Sequence, residues 1–359
     1  MSESIELRKM IDRIDEKLLE LLAERTNLVR KIGLLKRKLK IPIRDLKRER
    51  EIYSRIIEIA KEKGLNENFV KNIFDEIIAM SSYEQGEEIK VAFLGPRGTF
   101  CEQATRKFFH GFPASFIEFL TIKDVFRAVL SDEVNYGVVP VENSTEGSIS
   151  LTLDLLLNYE IKVYGEIEQK ATHNLIVKPG TKLEKIKLII SHPQALAQCR
   201  IFLEENLPKA KIKEVSSTSA AVKALKRLRN AAAVGSELAA EIYGCEILAR
   251  GIEDNPENYT RFFVLSKKDG EPSGNDKTSI IYSVEHVPGA LFRSLEPFAK
   301  RKINLTKIES RPTRKKPWDY VFFVDFEGHR DEVECREALE ELKNICSFIK
   351  ILGSYPKAQ

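Results

Sequence analysis

Residues 21–36, LLAERTNLVRKIGLLK, contain an arginine, Arg25, within a row of apolar residues along one face of a predicted helix. We call this row the apolar seam. Apolar residues recur at spacings of three and four along one predicted helix, a pattern typical of a helix that packs along its length. They are Leu7, Ile11, Ile14, Leu18, Leu21, Leu28, Ile32 and Leu35. The step between Leu21 and Leu28 falls on Arg25. Either the stem of Arg25 packs in the seam while its head reaches water, or the head binds an anion.

Two further cations favour the anion site. Lys36 follows Arg25 by 11 residues, so the two heads share a face about 16 Å apart along the axis. Long side chains that lean together can hold one small dianion, and such a ligand offsets the cost of burying them. Arg8 precedes Lys36 by 28 residues, which is roughly 42 Å of continuous helix. If Arg8 joins this site, it must come from a second subunit of an antiparallel, intertwined dimer.

The composition predicts a soluble protein of two or three domains. The chain has 359 residues, more than one ordinary core accommodates. It has no run of about 18 apolar residues and no signal-peptide pattern, so we expect a cytoplasmic protein that does not bind membranes. Lys+Arg 58 nearly balances Asp+Glu 54, which leaves no large field to attract nucleic acid. The five cysteines lack metal-ligand spacing, so we expect reduced thiols, no metal and no cofactor.

Hydrophobic periodicity divides the chain into three domains and a linker. Residues 1–86 are predicted to be helical, with breaks at KIPI and KGLNEN. Residues 89–266 alternate short strands with helices, which is the α/β pattern. Residues 267–277 are rich in glycine, proline and charge, as is typical of a linker. Residues 278–355 follow the order strand, helix, strand, strand, helix, strand, which predicts a ferredoxin-like α+β fold.

The helical segment resembles the all-helical type of chorismate mutase. The resemblance rests on LRKMIDRIDEKLLELLAERTNLVRKIGLLK, PIRDLKRERE and SSYEQ, with the charged positions in register. It implies a three-helix, intertwined homodimer, or a larger homo-oligomer, that converts chorismate to prephenate. The chorismate-binding residues that it implies are Arg8 from the second subunit, Arg25, Lys36, Asp45, Arg48, Glu49, Ser81 and Gln85.

The implied rearrangement is pericyclic and requires no nucleophile and no proton transfer. The protein needs only to hold the compact conformer and to stabilise negative charge that grows on the breaking ether oxygen. The resemblance assigns the cations to the two carboxylates and the ether oxygen, and Asp45 or Glu49 to the ring hydroxyl. We expect Lys36 and Gln85 to act catalytically on the ether oxygen.

Four strand ends of the α/β segment run into helix starts that carry small hydroxyl residues. They are GPRGTF, ENSTEG, SHPQALAQC and STSAA. Helix capping alone explains any one of them. In open α/β sheets, however, these strand ends line the crevice, and helix N-termini there attract anions. A fifth run, NYTRF, places Thr260 and Arg261 just before an apolar strand.

Together the five runs resemble prephenate dehydratase along residues 89–266. The resemblance implies two α/β lobes, with prephenate bound between them and converted to phenylpyruvate by loss of carbon dioxide and the ring hydroxyl. The cleft residues that it implies are Thr99, Asn143, Ser144, Ser191, Gln198, Thr218, Thr260 and Arg261.

Thr260 would be the main catalytic group of that cleft. A threonine hydroxyl is too weak an acid for ordinary general acid catalysis, so we expect Thr260 to donate a hydrogen bond to the leaving oxygen. Glu142 is one candidate source of a proton. Cys101 stands where the first motif often carries serine or threonine, and we give this weak donor no catalytic role.

The ferredoxin-like segment carries two runs, VPGALFRSL and KIESRPTRKKPWDY. Spacing alone makes them a helix start and a polar strand end. They resemble the two motifs of the ACT regulatory domain, which implies that L-phenylalanine binds between paired domains and inhibits the dehydratase by favouring a less active state. The effector-binding residues that it implies are Gly289, Ala290, Leu291, Glu309, Ser310 and Arg311.

The sequence therefore predicts a bifunctional enzyme of L-phenylalanine biosynthesis that joins the two activities to an ACT domain. Two alternatives remain at this point. The same fold could serve as an aromatic-acid sensor, or the helical segment could be only a dimerisation stalk on an active dehydratase. The complete NYTRF and ENSTEG runs and the cations of the helical segment favour catalysis.

Overall fold

The structure is a computed structural model that describes residues 2–39, 46–85, 89–313 and 320–358. The chain forms two compact units, Met1–Ile89 with Phe109–Ser115, and Lys90–Phe108 with Phe116–Gln359. Within the described ranges, no helix combines the length and the hydropathy that a membrane span requires.

The first unit is built on three helices. They are α1 (Ser2–Leu39), α2 (Leu46–Glu62) and α3 (Glu67–Gln85). α3 packs against both α1 and α2. It meets α1 at Gly33, where an added Cβ would lie 2.8 Å from Gln85 Cα. Glycine is required there because the helices approach more closely than a side chain permits. The predicted break at KGLNEN separates α2 from α3, whereas KIPI lies outside the described residues.

The apolar seam of α1 is exposed in the single chain. Val29 of this helix is buried. The eight seam residues are nevertheless each at least 45% exposed: Leu7, Ile11, Ile14, Leu18, Leu21, Leu28, Ile32 and Leu35. An exposed row of apolar residues of this length is unusual on a monomer. The predicted helix is present, and the described part of the chain does not cover its packing face.

An α/β lobe around a six-stranded sheet follows, and most of its residues belong to the second unit. Its strands are β1 (Ile89–Leu94), β2 (Ala114–Phe119), β3 (Tyr136–Asn143), β4 (Gly147–Ser148), β5 (Lys162–Lys170) and β11 (Tyr259–Ser266). Its helices are α4 (Phe100–Phe108), α5 (Ile122–Leu130) and α6 (Ser150–Asn158). The order is β2-β1-β3-β11-β5, with β4 paired to β3. β1 and β3 are parallel, and β11 runs antiparallel to β3 and β5.

A second lobe is inserted between β5 and β11. Its strands are β6 (Asn174–Val177), β7 (Leu188–Ser191), β8 (Lys211–Glu214), β9 (Ala231–Gly235) and β10 (Glu246–Ala249). Its helices are α7 (Pro193–Gln198), α8 (Arg200–Asn206), α9 (Thr218–Ala224) and α10 (Glu237–Tyr243). The strand order is β10-β6-β9-β7-β8. The chain therefore crosses between the lobes twice, which is the predicted two-lobed arrangement.

The C-terminal domain is a four-stranded antiparallel sheet with two helices. Its elements are β12 (Asp276–Ser283), α11 (Ala290–Lys300), β13 (Leu305–Pro312), β14 (Tyr320–Glu327), α12 (Val333–Ile345) and β15 (Phe348–Pro356). The order is β13-β14-β12-β15, and α11 packs against α12. The predicted ferredoxin-like fold is confirmed.

The C-terminal sheet shares a hydrophobic core with the first lobe. Phe263 of β11 belongs to the same buried cluster as Phe323 and Tyr355 of the C-terminal sheet. At Gly353 of β15, an added Cβ would lie 2.2 Å from the carbonyl oxygen of Val163 in β5. The two sheets thus meet backbone to backbone, and only glycine permits that approach.

Gly353→Ala should force β15 away from β5, because the clashing atoms belong to the main chain and cannot rotate aside. We expect a loss of roughly 2 kcal/mol or more of stability, measured as a lower Tm in thermal unfolding of the full chain. Gly274→Ala is the control, since Gly274 has a φ of +85° but open space around it. It should cost only the backbone strain of about 1 kcal/mol. Equal effects of the two variants would show that the contact with Val163 is not tight.

Candidate active sites

Arg25 lies where α1 meets α3. Its Nη1 donates to Ser81 Oγ and, at 3.4 Å, to the carbonyl oxygen of Ile77. The side chain is half-buried, and this burial lowers the pKa of Arg25. Arginine nevertheless remains a cation in proteins. The head therefore turns toward α3 instead of extending into water.

Ser81 and Gln85 lie one turn apart on α3. Ser81 is buried, and its hydroxyl also donates to Ile77 O at 2.6 Å. Gln85 Nε2 donates to the carbonyl oxygen of Ser81 at 3.3 Å. Gln85 Oε1 is buried and has no hydrogen-bond partner in the part of the chain that the structure describes. The structure thus brings Arg25, Ser81 and Gln85 together where α1 meets α3.

The other predicted chorismate residues are more dispersed. Lys36 is half-buried about three turns beyond Arg25 on α1, and Arg8 is exposed on the same continuous helix. Arg48 is exposed, and its Nη1 pairs with Glu51 Oε2 at 2.9 Å. Asp45 lies outside the described residues, as does the side chain of Glu49.

Thr260 and Asn143 form the centre of the two-lobed domain's candidate site. They are opposite each other in the pairing of β11 with β3. Asn143 Nδ2 donates to Thr260 Oγ1 at 3.0 Å and to Asn258 Oδ1 at 2.8 Å. Among the described residues, the hydroxyl hydrogen of Thr260 has no acceptor. A bound molecule could therefore accept it.

The loop after β3 fixes the orientation of the Asn143 amide. Asn143 Oδ1 accepts from Thr145 N at 3.0 Å, from Thr145 Oγ1 at 2.6 Å and from Glu146 N at 3.2 Å. Three donors on the oxygen leave the NH₂ group directed toward Thr260. Ser144 Oγ accepts from Tyr259 N at 2.9 Å and ties the same loop to the start of β11.

Three other predicted cleft residues lie at element ends. Thr99 caps α4, because its Oγ1 accepts from Glu102 N at 3.3 Å. Ser191 is fully buried and donates to Val234 O at 2.7 Å. Thr218 opens α9, although the cap is the preceding Ser217, whose side chain accepts from Ala220 N. Helix capping therefore explains some of the serine and threonine residues at these strand ends, namely Thr99 and Ser217.

The GPRG turn of the first lobe meets the second lobe. Ser236 Oγ donates to Gly98 O at 2.6 Å, and Ser219 Oγ donates to Arg97 O. Gly98 has a φ of +83°, and an added Cβ would lie 2.9 Å from Ala239 Cα. Glycine is required here for both its conformation and its size. The turn therefore joins the two lobes.

His173 orients Gln198, and sequence reasoning did not identify it. His173 is 3% exposed, and its Nε2 lies 2.9 Å from Gln198 Oε1. The glutamine oxygen can only accept, so the contact leaves the amide NH₂ of Gln198 for other partners. Burial lowers the pKa of His173, which keeps the ring neutral. A polar residue just before the buried strand NLIV was the available signal.

The structure does not bring Arg261 together with Thr260. Successive strand residues point to opposite faces, and the Arg261 head pairs with Glu166 at 2.8 Å and with Asp325 at 2.6 Å. Glu142 lies on that same far face and pairs with Lys307 at 2.9 Å. We therefore remove Arg261 from the proposed prephenate site and Glu142 from the candidate proton sources.

Cys101 is buried and donates to Val138 O at 3.4 Å. Burial raises the pKa of this thiol to about 12, so it stays protonated and unreactive near neutral pH. The raised pKa and the contact with Val138 are consistent with the expectation that Cys101 has no catalytic role. Within the described ranges, no group of three or more His, Cys, Asp and Glu could hold a metal ion.

The predicted effector residues divide between two environments. Gly289 caps α11 with a φ of +79°, Ala290 is buried and Leu291 is 38% exposed. On β13, Ser310 is exposed. Glu309 instead accepts from Ser148 Oγ, and Arg311 Nη1 donates to Ser150 Oγ at 2.8 Å. Strand alternation thus directs Glu309 and Arg311 toward the first lobe and away from Ser310.

Three family models match the chain in this order: chorismate mutase type II at residues 7–86, prephenate dehydratase at residues 91–270, and the ACT domain at residues 278–344. The three matched ranges correspond, in this order, to the helical unit, the two-lobed α/β domain and the C-terminal domain.

Curated relatives match along their whole length. A bifunctional chorismate mutase/prephenate dehydratase of Aquifex aeolicus is 48% identical and covers 100% of this chain and 99% of its own. One of Pseudomonas aeruginosa is 41% identical over 98% and 97% of the two chains. A crystal structure of prephenate dehydratase from Arthrobacter aurescens, in complex with L-Phe, superposes with a TM-score of 0.70 at 36% identity. It covers 75% of this chain and 90% of that one.

Proposed function

The chain belongs to the family of bifunctional chorismate mutase/prephenate dehydratases, and we propose that its two active sites are the Arg25 pocket and the Thr260 cleft. The chain has both enzymatic activities. The mutase converts chorismate to prephenate, and the dehydratase converts prephenate to phenylpyruvate. The observation that carries the assignment of the second site is the donation from Asn143 to Thr260.

In the proposed mutase site, Arg25 binds a carboxylate of chorismate while Lys36 and Gln85 act on the ether oxygen. The half-buried Arg25 head, which turns toward α3, supports an anionic ligand between α1 and α3. Gln85 Nε2 has a second hydrogen beyond the one given to Ser81. Arg48, Asp45, Glu49 and Ser81 complete the part of the proposed set that comes from the same chain.

We propose that a second copy of the chain covers the α1 seam and supplies Arg8. The exposed seam residues support this, because an apolar face of this length requires a partner. The continuous helix keeps Arg8 far from Lys36 of the same chain. A homodimer, or a larger assembly built from such dimers, would complete each mutase site.

In the proposed dehydratase site, the Thr260 hydroxyl donates a hydrogen bond to the ring hydroxyl, which leaves prephenate as hydroxide while Thr260 keeps its proton. Asn143 donates to Thr260 Oγ1 and so directs that hydrogen outward. The donated bond stabilises negative charge on the departing oxygen as the ring becomes aromatic and carbon dioxide leaves. Thr99, Ser144, Ser191, Gln198 and Thr218 stay in the proposed cleft as binding or supporting groups.

We propose L-phenylalanine as an inhibitor that binds at the start of α11. Gly289 leaves the backbone amides of this helix start accessible, and Ser310 is exposed on β13. The Arthrobacter relative was crystallised with L-Phe, which supports the same ligand here. The proposed set is Gly289, Ala290, Leu291 and Ser310, with Glu309 and Arg311 removed because they contact the first lobe.

The cytoplasm is the compartment that we propose for the enzyme. All five cysteines are free thiols, and three of them are buried. Unpaired thiols are typical of a reducing compartment.

Arg25→Met should reduce mutase turnover by about 100-fold or more, because it removes a cation that stabilises charge in the transition state. Stability should be little changed, since Ser81 keeps its hydrogen bond to Ile77. Chorismate loss and helical unfolding are the two measurements. Arg37→Met, on the exposed part of the same helix, should leave turnover unchanged. An unfolded Arg25→Met protein would return Arg25 to a structural role.

Thr260→Val should abolish phenylpyruvate formation and leave chorismate consumption intact. Valine matches the shape of threonine but cannot donate a hydrogen bond, so the loss measures that donation. Thr260→Ser retains the hydroxyl and should retain a substantial part of the activity. Near-normal dehydratase turnover in Thr260→Val would exclude the assignment.

Gly289→Val should abolish phenylalanine binding and inhibition, because its side chain would cover the helix start and strain the backbone at φ +79°. Calorimetry with L-phenylalanine and inhibition of dehydratase turnover are the measurements. Gly274→Val introduces the same side chain at φ +85° in open space, and inhibition should persist in it. Unchanged inhibition in Gly289→Val would contradict this site.

A further inference from the structure

The two faces of the β3 and β11 pair have different neighbours. Thr260 is opposite Asn143, and the next pair along the register joins Arg261 to Glu142. Side chains alternate between faces along a strand. The proposed catalytic pair therefore lies on one face, and two charged residues lie directly behind it on the other.

Arg261 is held mainly by the C-terminal domain. Its Nη1 donates to Asp325 Oδ2 at 2.6 Å and its Nη2 to Tyr355 OH at 3.1 Å. Its Nε donates to Glu166 Oε2 of β5 at 2.8 Å. The side chain is only 11% exposed. All three guanidinium nitrogens are thus engaged, and two of their partners belong to β14 and β15.

The surroundings of Arg261 balance its charge. Lys277 Nζ lies 3.0 Å from Glu166 Oε1, and Ser279 Oγ donates to Asp325 Oδ1 at 2.5 Å. Burial alone would lower the pKa of Arg261, but the charge of Asp325 and the other acidic neighbours outweighs it and raises that pKa. A buried, hydrogen-bonded cluster is thus formed by two cations and two carboxylates, which are Arg261, Lys277, Glu166 and Asp325. Removing any one of these charges leaves another uncompensated.

Glu142 provides a second link between the C-terminal sheet and the face of β3 that lies behind Asn143. Lys307 of β13 lies 2.9 Å from Glu142 Oε2, and its Nζ donates to Ser148 Oγ at 2.6 Å. Ser148 is opposite Glu142 in the pairing of β3 with β4. The C-terminal sheet therefore contacts the strand positions directly behind both Asn143 and Thr260.

We propose that Arg261 is a positioning residue of the dehydratase, which holds the Thr260 position of β11 against Asp325 and Tyr355 of the C-terminal sheet. It does not touch prephenate. Its ion pairs fix the backbone beside Thr260, and so the geometry of the Thr260 and Asn143 pair depends on a domain outside the cleft. This inference rests on the proposed role of Thr260.

Asp325→Asn in the full chain tests the proposal, because it keeps the shape of the side chain and removes one charge from the cluster. We expect dehydratase kcat to fall about 10-fold, with KM for prephenate within about twofold, since misplacement of a catalytic group affects turnover more than binding. Mutase turnover should not change. Tyr355→Phe, which removes one hydroxyl and preserves the packing, should give a smaller loss of kcat in the same direction.

Lys350→Met is the matched control. Lys350 joins the same two domains through Tyr159 O at 2.7 Å and Glu160 at 3.0 Å. Among the described residues, none of its side-chain hydrogen bonds and ion pairs reaches β3 or β11. It should leave kcat unchanged. The double variant Arg261→Gln with Asp325→Asn should have a dehydratase kcat no lower than that of Arg261→Gln alone. Both substitutions break the same ion pair, between Arg261 and Asp325, so the second adds no further loss.

Normal kcat in both Asp325→Asn and Tyr355→Phe would overturn the proposal. So would a large rise in KM for prephenate in Arg261→Gln with kcat unchanged, because that result identifies a substrate ligand. An active Thr260→Val enzyme would instead remove the proposed function on which the inference rests, so the two failures are distinguishable.

Discussion

The register between β3 and β11 is the constraint on which the dehydratase domain depends. It places Thr260 beside Asn143 on one face and, unavoidably, Arg261 beside Glu142 on the other. A slip of one residue would exchange the faces, so that charges would enter the cleft and the hydroxyl would face the C-terminal sheet. Ser144 opposes such a slip, since it bonds both to the backbone of Tyr259 and to that of Glu257.

The helical unit is constrained differently, by apolar surface that one chain cannot bury. Each fully buried leucine or isoleucine contributes about 1.5–3 kcal/mol, and the seam of α1 leaves this contribution unrealised in the single chain. The stability of such a unit is coupled to association with whatever covers it. Within the chain, α1 and α3 approach most closely at Gly33, where only glycine leaves room for the backbone of Gln85.

The sequence predicted those features whose signal lies along one element. The 3.6-residue period of a helix was enough to predict the seam and its interruption at Arg25. The change between helical and strand periodicity was enough to divide the chain into three predicted domains. Arg261 was expected in the cleft, but its direction depends on the register, and its partner Asp325, 64 residues away, could not be identified from the sequence. The same holds for Glu309 and Arg311, whose neighbours in the first lobe are set by how two sheets pack. The position of His173 before a buried strand was a weak signal, and its role follows from its contact with Gln198.

The packing of the C-terminal domain also limits how it can influence the dehydratase. Its sheet shares a buried cluster with β11 and meets β5 through the backbone at Gly353. A close-packed interface cannot slide continuously, so the domain cannot swing as a tethered body without opening that core. Any influence on Thr260 must pass through small displacements of contacts that persist. Behind the site, Arg261 contacts Asp325 of β14 and Tyr355 of β15, and Glu142 contacts Lys307 of β13. Small displacements of these three strands would therefore act on the strand positions next to Thr260 and Asn143.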